Sequence, residues 1–322
     1  MRKLCHAANR FFRNGGWAKM GDTLLITGLT GRTGRCFVDE IIRNAAFFSG
    51  YRIIAAVRDR SDTSLIDSCP VPIIKKTGDI TDEAFCRTIL KGADILFHIA
   101  GIHYSLPLIP VAVETGIKRV IAVHTTGVYS KFKAAGEEYR SIDTVCEAAC
   151  SERHVPLTIL RPTMIYGGLD DGNMVRFIRL VDRFPLIPVV DRGTYSLQPV
   201  HRADLAHAYF ETLFCSERTE GRSYVLSGEA PILLRDILSM IAIDLGKTPR
   251  FLSVPFPLAY LGAWALYLIS LKRIDVREKV QRLTEDRAYP HEEATADMGY
   301  EPRPFRDGIA AEIAAYLNER RN

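Results

Sequence analysis

Thr23-Leu-Leu-Ile-Thr-Gly28-Leu-Thr-Gly31-Arg-Thr-Gly34 is the stretch on which the reading of this chain turns. Thr23–Thr27 is a short, unbroken apolar run, the pattern of a strand covered on both faces. Arg32 to about Asn44 carries helical periodicity. Three glycines lie between, where the chain must turn sharply. Glycine permits that turn and lets backbone approach a pyrophosphate closely, while the helix N-terminus offers N–H groups and a favourable dipole. Turns are glycine-rich anyway, so the spacing alone says little; a strand before it and a helix after it make it a dinucleotide cradle. The candidate binding residues here are Thr27, Gly28, Thr30, Gly31, Arg32, Thr33 and Gly34.

Outward from this turn, apolar runs alternate with helical patterns, the signature of βαβ units and a parallel sheet. Strands are predicted at Arg52–Val57, from Pro72 towards Gly78-Asp79, at Asp94–Ala100, Arg119–His124 and Leu157–Leu160, with a helix over Gly136–Arg153. Beyond Arg161 the pattern becomes irregular, with helices predicted at Asn173–Arg183, Asp204–Cys215, Leu233–Leu245 and Arg306–Asn318. The expected fold is α/β, a Rossmann-type doubly wound parallel sheet with a smaller C-terminal substrate lobe. The expected domains are a flexible basic extension over 1–20, a dinucleotide-binding domain over 21–168, and a lobe mainly over 169–322 whose late strands and helices return to the core.

Further segments fall in a recognisable order. They are Gly78-Asp79-Ile80-Thr81-Asp82, His98-Ile99-Ala100-Gly101, His124-Thr125-Thr126-Gly127-Val128-Tyr129, Arg161-Pro162-Thr163-Met164-Ile165-Tyr166-Gly167, Gln198 to Ala206, and Gly299-Tyr300-Glu301-Pro302. Over residues 21 to 315 the chain resembles the extended and atypical short-chain dehydrogenase/reductase family, the NAD-dependent epimerase/dehydratase-like proteins. The resemblance implies that Asp79 and Ile80 contact an adenine. It implies that Ile99, Ala100 and Gly101 run beneath the adenosine ribose and pyrophosphate, and that Pro162 and Thr163 lie near a nicotinamide.

In that family a strand-borne hydroxyl binds the substrate oxygen, and a tyrosine relays a proton with a lysine four residues later on the same helix face. Thr125 matches the hydroxyl and Tyr139 the tyrosine, but the residue four beyond Tyr139 is Asp143. A carboxylate near the phenol is expected to raise its pKa. A literal Tyr129-x-x-x-Lys133 pair sits too soon after the fifth strand to match, although Lys131 or Lys133 could supply an ammonium by folding back. The expected activity is hydride transfer on a nucleotide sugar or another carbonyl or alcohol substrate by an NAD(P)-dependent oxidoreductase or epimerase/dehydratase. The alternative is a catalytically impaired NAD(P)-binding regulator or assembly subunit.

Cofactor choice turns on Arg58-Asp59 after the second strand. An arginine there suits the 2′-phosphate of NADP(H), and a carboxylate suits the free ribose of NAD(H). Arg58 comes first and Arg32 lies within reach of the same phosphate, so NADP(H) is favoured, with NAD(H) left open.

Composition excludes other classes. Arg2, Lys3, Arg10, Arg13 and Lys19 precede the first acidic residue, Asp22, and without them the net charge of +4 becomes −1. No nucleic-acid face is indicated. The seven cysteines are scattered and unpaired by motif, as in a reducing cytoplasm, and no metal site is expected. Val254 to Leu271 is almost wholly apolar, but Pro255 and Pro257 confine a helix to about Leu258–Leu271, shorter than a membrane span needs. It reads as a helix packed on the lobe or, alternatively, as a peripheral membrane contact. A small-molecule substrate and a homodimer complete the expected partners.

Overall fold

The computed structural model describes residues 21–132 and 134–321. The expected extension over 1–20 and Lys133 lie outside those residues. Seven strands form one sheet: β1 (Thr23–Thr27), β2 (Arg52–Val57), β3 (Ile73–Thr77), β4 (Ile95–His98), β5 (Arg119–Val123), β6 (Leu157–Pro162) and β7 (Ser223–Leu226). Their order is β7-β6-β5-β4-β1-β2-β3, a doubly wound, Rossmann-like arrangement. The chain starts at the centre and returns to it, and the parallel register pairs Thr27 with Ala56 on one side and His98 on the other. Every residue of β1, β5 and β6 is buried, which explains their unbroken apolar runs.

Among the described residues the helices longer than a single turn are α1 (Arg32–Arg43), α2 (Glu83–Leu90), α3 (Ser105–Glu114), α4 (Gly136–Glu152), α5 (Met174–Arg183), α6 (Arg202–Phe214), α7 (Leu234–Asp244), α8 (Phe256–Ile269), α9 (Arg277–Arg282), α10 (Glu292–Met298) and α11 (Phe305–Glu319). The chain divides into two compact units. The first runs to Ala122 and adds Cys146–Ile159 and Tyr209–Ser223. Its core is partly aromatic: Phe37 of α1 meets Phe97 of β4 at 5.2 Å and Tyr209 of α6 at 5.9 Å between ring centroids. Buried Arg119 is held there by the carbonyls of Leu213 (2.9 Å) and Thr212 (2.8 Å) and by the Thr219 hydroxyl (2.9 Å).

The second unit comprises Val123–Val145, Leu160–Ala208 and the chain from Tyr224 onward. Its core packs α5, α7 and α11 through Ile178, Ile237, Ile241, Ile309 and Ile313 around Tyr166. A parallel strand pair, Leu186–Val190 with Arg250–Val254, runs beside it.

The apolar helix departs from expectation twice. It begins at Phe256 because Pro257 falls in its first turn, where no N–H is needed. It is also exposed rather than packed: only Ala263 is buried, while Leu258, Leu261, Leu268 and Ile269 are 58–81% exposed. Among the described residues no helix is long and apolar enough to cross a membrane.

Candidate functional site

In the first unit the glycine turn is built to close tolerances. Gly28 sits at φ +82°, in left-handed territory, and a Cβ there would lie 2.7 Å from the Ala100 nitrogen. At Gly34 a Cβ would lie 2.0 Å from the Gly28 carbonyl oxygen, so only glycine lets α1 sit down on the turn. The helix starts with Gly31 at its N-cap, no side chain capping it and no acidic residue in its first turn. Such an end favours an anionic group. Its donor chemistry and its lack of side-chain bulk fit a dinucleotide pyrophosphate.

The other candidate binding residues of this unit lie at the carboxyl ends of β1 to β4. Thr27 is fully buried, its hydroxyl 2.7 Å from the His98 Nδ1 across the strand pair, so its side chain braces the turn from within. The Ile99 N–H bonds the Thr27 carbonyl at 3.1 Å, which ties the Ile99-Ala100-Gly101 segment to the glycine loop. Thr30 reaches Ser61 at 3.4 Å, so the loop after β2 closes over the turn. Arg32 and Arg58 are exposed, and Thr33 is half-buried. Asp79 is exposed, Ile80 half-buried, and the Asp79 carboxylate accepts the Thr81 N–H at 2.9 Å. Hydrogen bonds from Thr81 hold Asp79 below the ordinary carboxylate pKa, with the Arg58 charge adding to them. Arg58 and Asp79 therefore share one corner of the site.

In the second unit Thr125 and Tyr139 come together. Thr125 caps a single helical turn over Thr126–Tyr129 and accepts the Gly127 N–H at 3.0 Å. A Cβ built on Gly127 would lie 3.2 Å from the Thr125 Oγ1 and 3.0 Å from the Tyr139 ring. The two candidate side chains thus flank one glycine. Thr126 Oγ1 bonds the Pro162 carbonyl at 3.1 Å, and Thr163 Oγ1 bonds the Gln198 carbonyl at 2.5 Å. These bonds fix the segment after β6 beside the same turn.

Asp143 corrects an expectation. It is 6% exposed and neither of its oxygens is free: Oδ1 lies 2.5 Å from His124 Nδ1 and Oδ2 lies 2.7 Å from an Arg161 Nη. Burial would raise its pKa, but the His124 hydrogen bond and the Arg161 charge hold it below the ordinary carboxylate value. Tyr139 does have a raised pKa, yet burial is the main cause and Glu138 the next, with Arg282 opposing them. Asp143 is not among the causes, because its charge is spent on Arg161 and His124. The sequence marked Asp143 as a loss; the two partners that make it a buried cluster lie on the ends of β5 and β6. The signal was available in principle, since a buried carboxylate on a helix needs a cation.

Lys131 offers its backbone N–H, not its ammonium, to Glu285 Oε1 at 2.7 Å. Arg282, whose charge acts on the tyrosine, escaped the sequence reading altogether.

Comparison with known proteins agrees with this geometry. The profile of a family described as NAD(P)H-binding matches residues 28–215. An Arabidopsis thaliana protein, "NADH dehydrogenase (ubiquinone) 1 alpha subcomplex subunit 9, mitochondrial", is 24% identical over 266 residues, covering 74% of this chain. The chain spans 62% of that relative's length. Among solved structures, gox2253 superposes with a TM-score of 0.73 at 22% identity, covering 93% of this chain and 98% of that one. The UDP-glucuronic acid 4-epimerase of Bacillus cereus, solved with UDP-glucuronic acid and NAD, gives 0.69 at 17%, covering 92% and 99%. At these identities the structures share the fold. By its profile, with which its sheet and its glycine turn agree, the chain belongs to the NAD(P)H-binding family.

Proposed function

We propose that the chain is an NAD(P)-dependent oxidoreductase or epimerase/dehydratase-like enzyme, transferring hydride on a nucleotide sugar or another carbonyl or alcohol substrate. The observation that carries this is the pairing of Thr125 and Tyr139 about Gly127. When bound, the nicotinamide supplies hydride to the substrate carbon or takes it away. Thr125 Oγ1 uses its acceptor side on the Gly127 N–H, which leaves its hydrogen to donate to a substrate oxygen. Burial keeps the Tyr139 phenol protonated, so in the reducing direction it gives its proton to the carbonyl oxygen as hydride arrives. Water then reprotonates the phenolate. NADP(H) is the cofactor in this reading, its 2′-phosphate held by Arg58, with Arg32 in the glycine loop, and residues 169–322 supply most of the substrate lobe.

A second reading, an NAD(P)-binding regulator or assembly subunit without turnover, is supported by one feature. The lysine that would bind the nicotinamide ribose is replaced by Asp143, locked between His124 and Arg161. Titration with NADPH and NADH, followed by cofactor oxidation against carbonyl and nucleotide-sugar panels, separates the two. Turnover abolished in Thr125→Ala and Tyr139→Phe with binding retained supports the enzyme. Tight binding with no turnover across the panel, unaltered by Tyr139→Phe, sinks it in favour of the second reading.

A further inference from the structure

We propose that α8 and the turn that follows it form a docking face for the surface of an anionic lipid bilayer, an inference independent of the enzyme reading above. At about 3.6 residues per turn, Phe256, Ala259, Tyr260, Ala263 and Tyr267 share the inward side of α8, and all are buried or half-buried. The outward side runs from Trp264 through Leu261 and Leu258 to Leu266, an arc of roughly 200°. No residue on that arc is charged, and only Trp264 carries a polar side-chain atom. The turn extends the face. Leu271 and Lys272 stand at φ +53° and +66°, left-handed positions that such side chains adopt only under constraint. The Lys272 N–H on the Tyr267 carbonyl (2.8 Å) and the Arg273 N–H on the Ser270 carbonyl (3.1 Å) hold them there. So held, the turn leaves Leu271 78% and Ile274 50% exposed. A contiguous apolar face of this kind marks a surface that meets another apolar phase.

Positive charge lies at one end of the face. Lys272, Arg273, Arg277, Lys279 and Arg282, against Asp275 and Glu278, give residues 256–282 a net charge of +3, whereas residues 21–322 together carry −1. Lys272 and Arg273 are exposed directly beyond the helix. Arg277 is turned back onto it, its guanidinium 4.3 Å over Trp264 and 4.0 Å over Tyr267. Two bonds to the Asp275 carboxylate, at 3.0 and 2.7 Å, fix that pose. Indole, phenol and guanidinium thereby make one cluster with an apolar body and a polar edge. Such groups settle at the boundary between lipid headgroups and acyl chains.

Charge also decides what covers the face. A second copy of the chain fits it poorly. In a two-fold pair with antiparallel helices, the basic turn of one copy would lie against the Phe256 end of the other. That end has no acidic residue in its first turn and carries the positive pole of its own helix. Anionic headgroups instead neutralise the turn, while the acyl layer receives Leu258, Leu261 and Ile269. With 14 residues α8 is about 21 Å long, so it lies along the bilayer surface rather than through it.

The test uses the full chain in a Trp17→Phe background, which leaves Trp264 as the sole tryptophan. It is mixed with vesicles of phosphatidylcholine alone, or of phosphatidylcholine and phosphatidylserine in equal parts. On the mixed vesicles Trp264 emission should shift to the blue and be quenched by brominated acyl chains. Affinity there should exceed that for phosphatidylcholine by about tenfold or more. Leu258→Ser, Leu261→Ser and Ile269→Ser combined should weaken binding by about tenfold or more, with an unchanged or higher melting temperature because all three side chains are exposed. Lys272→Gln with Arg273→Gln should remove most of the preference for phosphatidylserine and keep the weaker binding to phosphatidylcholine. No co-sedimentation of wild type with the mixed vesicles, full binding by the triple variant, or Trp264 left unquenched overturns the proposal. So does dimerisation of the free protein that the triple variant abolishes, which would give the face to a second copy.

Discussion

Replacing Glu312 by glutamine should abolish a downward slope of stability with pH, and the size of that slope follows from two carboxyl groups. Glu312 of α11 is 4% exposed and Asp171, just before α5, is 7% exposed. Asp171 Oδ1 accepts the N–H groups of Asn173 and Met174, each at 2.7 Å, and of Val175 at 3.3 Å, capping α5. Glu312 Oε2 accepts the Gly167 N–H at 2.9 Å. The oxygens left over, Glu312 Oε1 and Asp171 Oδ2, are both buried and have no donor other than a proton shared between them. The three N–H groups and the helix dipole favour charge on Asp171, so Glu312 carries that proton. Burial first, then the hydrogen bond to Asp171 and its charge, push the Glu312 pKa up to about 9 from its ordinary 4.5.

The sign is then fixed. Between those two values the folded state holds a proton that the unfolded chain has released, so stability falls as pH rises. The slope is about 1.4 kcal/mol per pH unit, which accumulates to roughly 3 kcal/mol by pH 7 relative to pH below 4.5. In Glu312→Gln the new amide would donate to Asp171 and accept from Gly167 at every pH, so the variant should gain on wild type steadily from pH 5 to 9. Urea denaturation of both proteins across that range measures the difference, in which all other titrations cancel. Parallel stability curves would refute the shared proton, as would a variant less stable than wild type at pH 8.

Three further substitutions probe other parts of the chain. Arg58→Ala should weaken NADPH by 1.5–3 kcal/mol in order of magnitude while leaving NADH within twofold, because it removes a charge-assisted bond to the 2′-phosphate; equal losses for both cofactors, read by fluorescence titration, would rule this out. Gly34→Ala drives a Cβ to 2.0 Å from the Gly28 carbonyl oxygen, so cofactor binding should be lost together with on the order of 1–3 kcal/mol of stability, and an unchanged melting curve would contradict the close packing. Asp143→Ala leaves the Arg161 charge buried and unmatched, which should cost about 3–5 kcal/mol at pH 7. Because the folded Asp143 pKa is depressed, that cost should shrink as pH falls through it, and a constant difference from neutral to acid pH would mean the ion pair contributes nothing.

How far sequence carried the reading depended on whether the deciding partner was near in the chain. β1 and β2 were legible to the residue and α1 to within one, since each is a local pattern bounded by glycine or charge. The helix α3 was not, because Pro107 and Pro110 fall within Ser105–Glu114 and Pro110 interrupts its hydrogen-bond ladder. β7 is four residues long and joins the sheet only by lying beside β6, which no local pattern announces. In the site, the tight turn at Gly28 and Gly34 followed from glycines set between a strand and a helix. The state of Asp143 depended on His124 and Arg161, 19 and 18 residues away, and could be found only once the strand ends were in place. The exposure of α8 was left open between two readings for the converse reason: apolar composition says that a helix wants cover, and says nothing about whether the chain supplies it.

The treatment of buried arginines bears on which function the chain performs. Where an arginine serves the fold alone, the chain surrounds it with partners: Arg119 has two carbonyls and a hydroxyl, and the Arg161 charge is matched by Asp143. The Nε atoms of Arg282 and Arg287 are buried without a hydrogen-bond partner, as are those of Arg119 and Arg161, while the Glu285 charge acts on Arg287. The Arg282 charge opposes the burial that raises the Tyr139 pKa. Burial and the Glu138 and Glu278 charges outweigh it, so the phenol stays protonated and Arg282 does not stand in for the family's lysine.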